Sequence, residues 1–255
     1  MEMSKLLIIH KINDENDRPA LERWFNRYHN PEVLVNTPWT VKYVLYRPVP
    51  CPPGAEEYGF FGYRVHESWV IDKSQRRGQK GILSMTKQPG DCDAIVVNMP
   101  AEPTEDFFGG DASYDDHTIL RWVCAFRYPD GVSVEEGEDW FLNIHVPEVM
   151  KQPKLTRFFS TKAYMNPRKS ALPQDDFQKH DNLFFMQWHR VSELWYECNN
   201  DWKESVITSP PAYTKPPWAS YEKYPFMIPG SEFISTFLLE SPDRDFIKEF
   251  KPLYL

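Results

Sequence analysis

Glu22-Arg23-Trp24-Phe25-Asn26-Arg27-Tyr28-His29-Asn30-Pro31-Glu32-Val33 returns 116 residues later as Glu138-Asp139-Trp140-Phe141-Leu142-Asn143-Ile144-His145-Val146-Pro147-Glu148-Val149. Trp24 falls on Trp140, His29 on His145, Pro31 on Pro147, Glu32 on Glu148 and Val33 on Val149, without a gap. A further proline, Pro38 or Pro153, follows each copy. Tryptophan and histidine are rare, so matched spacing of both makes chance a poor explanation. The chain reads as two copies of one unit of about 120 residues, and such a repeat must be recognised before a fold is assigned.

Working outward, each copy carries the same order of elements. In the first, residues 5–12 form a short apolar run that reads as a strand. Leu21, Trp24, Phe25 and Tyr28 recur at helical spacing, and the helix is expected to end near Pro31. Residues 41–47 and 58–69 read as strands, residues 68–85 as partly helical, and residues 93–99 as a buried strand. In the second copy, strands are expected over 119–128, 154–165, 181–191 and 232–239, with helices over 138–149 and 193–206. Val65, Glu67 and Trp69 correspond to Val191, Glu193 and Trp195. The domain reading is a first repeat over 1–103, an acidic linker over 104–117 and a second repeat over 118–255. A proline- and aromatic-rich insertion at 209–229 has no counterpart in the first repeat. The order β-α-β-β-α-β is the ferredoxin-like arrangement, with both helices on one face of a four-stranded sheet. The other face is apolar and must be covered. Two such sheets facing each other would do so and enclose a lumen.

Composition narrows the function. Hydrophobic residues make up 41% and aromatics 15% of 255 residues, enough for a substantial core. The net charge of −8 provides no basic footprint for nucleic acid or an anionic membrane. No apolar run is long enough to span a bilayer, and the N-terminus lacks the pattern of a signal peptide. Cys51, Cys92, Cys124 and Cys198 are far apart, which fits a reduced, cytoplasmic setting better than a disulfide framework or zinc site. No metal is expected. There is no phosphate loop, nucleophile elbow, H-E-x-x-H or dinucleotide fingerprint.

The helix pattern resembles the EthD-like family of dimeric α+β barrels. Trp24, His29, Pro31, Val33, Pro38 and Tyr43 carry the resemblance, and again Trp140, His145, Pro147, Val149, Pro153 and Phe158. It covers both repeats but not the insertion. It implies an α+β fold of two tandem ferredoxin-like βαββαβ repeats packed sheet to sheet as an intrachain dimeric α+β barrel. It also implies small aromatic or cyclic substrates and the chemistries of cofactor-free monooxygenases, isomerases, cyclases, decarboxylases or haem-binding relatives.

Histidine is the candidate for general acid/base work, because its neutral form is available near pH 7. His29 and His145 precede the helix prolines, where they suit proton transfer or a helix cap. Glu32 and Glu148 would orient a histidine or form salt bridges. His189 corresponds to Tyr63, and His10 to Phe126, so these pairs distinguish the copies. By strand alternation Phe61, Tyr63 and Val65 share one face and His66 the other, and Gln187, His189 and Val191 share one face. His117 and His180 fall in or beside loops. Gln187, Trp69, Trp195, Trp218 and Tyr213 are candidates for a substrate wall, although large aromatics also fill cores. The insertion is read as a lid or an edge cover.

The leading expectation is an enzyme acting on a small aromatic or polyketide-like molecule in the barrel cavity. Its catalytic residues would come from His10, His29, His145 and His189, with Tyr63 as a hydrogen-bond donor, and it would need no cofactor. The alternatives are a haem-binding barrel with an axial histidine and a non-catalytic ligand carrier. Because the duplication supplies its own pairing, either a monomer or a homodimer is expected.

Overall fold

The computed structural model describes residues 3–71, 86–109, 119–165, 183–184 and 186–250. The first repeat contains β1 (Met3–Ile12), α1 (Arg18–Trp24), a π-helical turn (Phe25–His29), α2 (Asn30–Asn36), β2 (Thr40–Tyr46), β3 (Arg64–Ile71) and β4 (Cys92–Pro100). A short strand β5 (Glu105–Asp106) lies in the acidic stretch that follows. The second repeat contains β6 (Leu120–Phe126), α3 (Val134–Trp140), a π turn (Phe141–His145), α4 (Val146–Val149), β7 (Arg157–Lys162) and β8 (Arg190–Tyr196). It continues with α5 (Asn199–Lys203), another π turn (Glu204–Thr208) and β9 (Phe233–Leu239). Then come β10 (Arg244–Asp245) and α6 (Phe246–Phe250). Of the part-helix expected over 68–85, residues 68–71 are strand and the rest lies outside the described residues. So do His117, His180 and the loop expected at 166–179.

The sheets run β10-β2-β3-β1-β4 and β5-β7-β8-β6-β9, antiparallel throughout. Without the short outer strands, both have the ferredoxin-like order, and β5 and β10 are exchanged. β5, which trails the first repeat, pairs with β7 of the second, while β10, which trails the second, pairs with β2 of the first. Each copy thus covers an exposed strand edge of the other, where unpaired backbone groups would invite other chains.

Strand alternation sends odd positions of β1 and β6 to the sheet–sheet interface and even positions to the helices. Leu7, Ile9, Val65, Ile95 and Val97 from one sheet pack with Val123, Ala125, Val191, Ile234 and Leu238 from the other. Among these apolar residues lie three buried charges, Glu67, Arg121 and Glu193, joined by the partly buried Lys5. Arg121 donates to Glu193 at 2.8 Å and reaches to 3.9 Å from Glu67, and Lys5 lies 3.7 Å from Glu67. Lys5 and Arg121 are equivalent in the repeat, as are Glu67 and Glu193, so the quartet shares the molecule's pseudo-twofold. Burial raises the Glu193 pKa, but Arg121 and Lys5 outweigh it and hold the carboxyl below its usual range.

Three expectations are corrected by the structure. The first helix does not end at Pro31: it continues to Asn36, and its twin passes Pro147 to Val149. A π turn precedes each proline, with Asn30 N–H donating to the Phe25 carbonyl and Val146 N–H to that of Phe141. The wider turn accommodates a residue that has no N–H and crowds the carbonyl four positions back. Second, β8 spans 190–196 rather than 181–191, and the helix expected from 193 begins at Asn199. Glu193 within a buried strand resembles the polar face of a helix until its partner Arg121 is known. Third, the insertion has a partial counterpart. Trp140 Nε1 donates to the Thr214 carbonyl, and Glu148 accepts from Thr214 N and Oγ1. Trp24, Glu32 and Thr86 repeat those three bonds in the first copy. The duplicated tryptophans and glutamates thus clamp a passing segment onto each helix.

Removing one quartet member strands a buried charge. Arg121→Met is expected to destabilise the fold by about 3–5 kcal/mol in urea titration. Replacing all four charges with apolar residues of similar size should cost much less. Breaking the clamp with Thr214→Val should cost about 1–3 kcal/mol, since Glu148 loses a charge-assisted bond.

Candidate functional site

The candidate catalytic histidines do not line the space between the sheets. His10 occupies an even position of β1 and faces α1, as does His66 on β3. His10, His29 and His66 surround Phe25, with ring centroids 5.1, 5.3 and 5.4 Å from it. His10 and His66 meet edge to face at 5.3 Å, and His29 lies 6.5 Å from His66. Tyr43 adds its ring 5.5 Å from His66, and its hydroxyl donates to Asn30 Oδ1 at 3.0 Å. The Arg64 guanidinium lies 4.2 Å over Phe25 and donates to Glu22 at 2.8 Å.

This chamber is buried and short of partners. Arg64 and His66 are each 1% exposed. Arg64 Nε and Nη1, both His66 ring nitrogens, His29 Nδ1 and Asn30 Nδ2 have no hydrogen-bond partner among the described residues. Burial pushes His10 down to about 3 and His29 to about 4, and holds His66 well below its ordinary value. Nearby positive charge on Arg64 works in the same direction in all three. All are neutral imidazoles at pH 7.

Tyr63 also belongs here, 6.0 Å from Phe25. The expectation that Tyr63 and His66 lie on opposite faces fails because β3 begins only at Arg64, so strand alternation does not extend back to Tyr63. His189, at the equivalent position before β8, stacks on Tyr128 at 4.9 Å, and its Nδ1 accepts from the Tyr128 amide. His145 is half-buried in the second repeat, stacked on Tyr224 at 5.7 Å. Burial lowers its pKa to about 3. Neither His189 nor His145 joins the three-histidine group. His29 and His145 cap no helix, because the helix continues past them.

The expected substrate wall separates into several places. Trp69 and Trp195 flank the sheet–sheet interface, with the Lys42 ammonium 4.1 Å over Trp69 and Arg157 5.3 Å over Trp195. Gln187 donates to the Trp188 and Tyr164 carbonyls in the segment before β8. Trp218 packs 5.4 Å from Trp140. Tyr213 stacks on Tyr224 at 3.8 Å and lines a surface groove of about 160 Å³ with Tyr58 and Tyr221.

Arg64 and Glu22 were not singled out from the sequence. Their twins Arg190 and Glu138 form the same ion pair, at 2.7 Å. Like charges at equivalent positions of the two copies were the available signal. The copies differ around this shared pair. His10, Asn30, Tyr43 and His66 of the first correspond to Phe126, Val146, Phe158 and Ser192 of the second. There a space of about 20 Å³, roughly one water, is lined by Phe126, Phe141, His145 and Phe158.

Neither imidazole environment fits a haem as packed. The room beside His145 is a single water's worth, and Phe25 fills the centre of the histidine trio. Among the described residues no three His, Cys, Asp or Glu side chains are placed to hold a metal ion. No described helix is long and apolar enough to cross a membrane.

A family model described as the chalcone isomerase N-terminal domain matches residues 1–100, less than half the chain. EthD kinship is not what it reports. None of the curated proteins matches. Among solved structures, an anthrone oxidase-like protein aligns at 8% identity and a TM-score of 0.46, over 96% of this chain and 92% of its own. A candidate monooxygenase from Lactobacillus acidophilus aligns at 11% identity and 0.37, over 96% of both chains. A candidate chlorite dismutase aligns at 8% and 0.34, over 94% of both. Such remote likeness says nothing about this chain's reaction.

The lowered histidines make a pH prediction. An unfolded histidine binds its proton near pH 6.5, a buried one near 3–4, so between those values the unfolded state holds more protons. Stability should be complete above pH 6.5 and decline as pH falls, by up to about 1.4 kcal/mol per pH unit for each group. Urea midpoints at pH 7, 6 and 5 measure this, and His145→Phe should make the decline shallower.

Proposed function

We propose that this chain is an enzyme that moves a proton on a small aromatic or otherwise conjugated molecule, bound between α1 and the sheet of the first repeat. The carrying observation is the asymmetry of the copies. Four positions apolar or small in the second repeat are polar and buried in the first, and two of them, Asn30 and His66, carry atoms unpaired among the described residues. Unpaired burial of polar groups costs stability, and a copy that retains them is built to meet something polar.

In this reading His66 is the base, since neutral imidazole can take a proton from carbon or a phenol. His10 packs against it, and the half-buried His29 lies on the approach from outside. Arg64 stabilises negative charge developing on a substrate oxygen in a dry site, where such a charge counts most. Tyr43 and Tyr63, whose pKa values burial raises, stay protonated as donors. Isomerisation or cyclisation fits this equipment, because each removes a proton beside a carbonyl and returns it elsewhere. The chalcone isomerase-type match over residues 1–100 covers all of these residues and agrees with this class.

The test is turnover on a panel of enones, phenolic ketones and lactones. On an accepted compound, His66→Asn should lower kcat by about 10²–10⁴-fold, with circular dichroism unchanged. Full activity in His66→Asn, His10→Asn and His29→Asn alike rejects the assignment. Saturable binding without any turnover would make the chain a carrier instead.

A further inference from the structure

The two buried arginines occupy the same place in their repeats and stack on equivalent rings. Arg64 lies 4.2 Å over Phe25 and Arg190 lies 4.6 Å over Phe141. Arg190 is fully engaged. Its Nε and Nη2 grip Glu138, its Nη1 and Nη2 reach Glu105, and Nη1 also reaches Ser160. Arg64 keeps the first carboxylate, Glu22, and among the described residues has no second.

Strand register shows why. Glu105 sits on the exchanged strand β5, opposite Ser160 of β7, and Ser160 is opposite Ser192 of β8. In the first sheet the exchanged strand is β10, where Arg244 is opposite Leu45 of β2, and Leu45 is opposite His66 of β3. Arg244 therefore stands where Glu105 stands in the other copy. Its guanidinium turns to Glu249 and Asn26. The exchange that neutralises Arg190 with a carboxylate thus brings a second cation toward Arg64.

We propose that the Arg64 chamber binds the carboxylate of a small organic acid, which takes the place that Glu105 fills in the second repeat. The carboxylate meets Nη1 of Arg64 along the Nη1/Nη2 edge of the guanidinium, the edge on which Arg190 holds Glu105. Asn30 Nδ2 and the two His66 nitrogens remain for a further hydroxyl or carbonyl of the ligand. A carboxylate here would also draw the His66 pKa back toward neutrality, where a base works best. The assignment rests on the reading of this chamber as the active site and gives its substrate class, a conjugated or aromatic acid.

Binding tests it apart from turnover. Benzoate and uncharged benzamide are titrated into the full chain by calorimetry. Benzoate should bind about tenfold or more tightly than benzamide, the difference one charge-assisted contact makes. Arg64→Gln should abolish the preference. Arg244→Glu restores the missing internal carboxylate and should block benzoate while leaving the fold intact. Arg244→Ala, which adds no carboxylate, should keep benzoate binding, so loss of the Arg244–Glu249 pair is separated from replacement of the ligand. Equal binding of the two probes, no benzoate binding, or unchanged binding in Arg244→Glu overturns the proposal. Carboxylate binding without turnover would overturn the enzymatic reading alone.

Discussion

Four charged side chains between two sheets, three of them buried, set the terms for the rest of the structure. Lys5 and Glu67 face Arg121 and Glu193 across a surface otherwise made of valine, isoleucine and leucine. Apolar sheets slide over one another at little cost. Charges withdrawn from water do not, because any offset leaves one unpaired in a medium that cannot solvate it. The quartet ties the sheets into one register, and the helices, exchanged strands and clamped segments are placed relative to that register.

With the interface thus filled, the buried histidines and the Arg64 and Arg190 ion pairs lie on the outer, helix-covered faces of the sheets. On each, a helix with a π turn lies over an arginine that pairs with a glutamate from the same helix. That pair is common to both copies, as expected of a structural pin. What surrounds it is not. The second copy closes around its pin with phenylalanines, the Glu105 carboxylate and an insertion whose Tyr224 covers His145. The first copy surrounds its pin with imidazoles, an amide and a phenol. Duplication supplied the scaffold twice, and divergence left one copy packed for stability and the other polar inside.

Reading the chain for strand alternation found most strands and the duplication, because both are local in sequence. It went astray where a residue's character was explained by a distant partner. The helix expected from residue 193 overran the end of β8, where Glu193 is buried against Arg121, 72 residues away. Pro31 suggested a helix end because a π turn is a change of hydrogen-bond spacing, not of composition. His10 and His29 were picked out as candidates, but they were placed in the lumen. His66 was set apart from Tyr63 by an alternation that begins one residue too late to include it.

The sequence by itself determined the repeat, the order of elements in each copy and the positions where the copies differ, since these depend on spacing and residue type alone. Only the tertiary structure decided which face of each sheet meets the other and which carries the helices. That choice depends on pairing charges and apolar surface from opposite ends of the chain. It moved the histidines from the central hollow to a chamber beneath a helix. It also exchanged the short strands that place Glu105 on Arg190 and Arg244 at the equivalent position beside the Arg64 sheet.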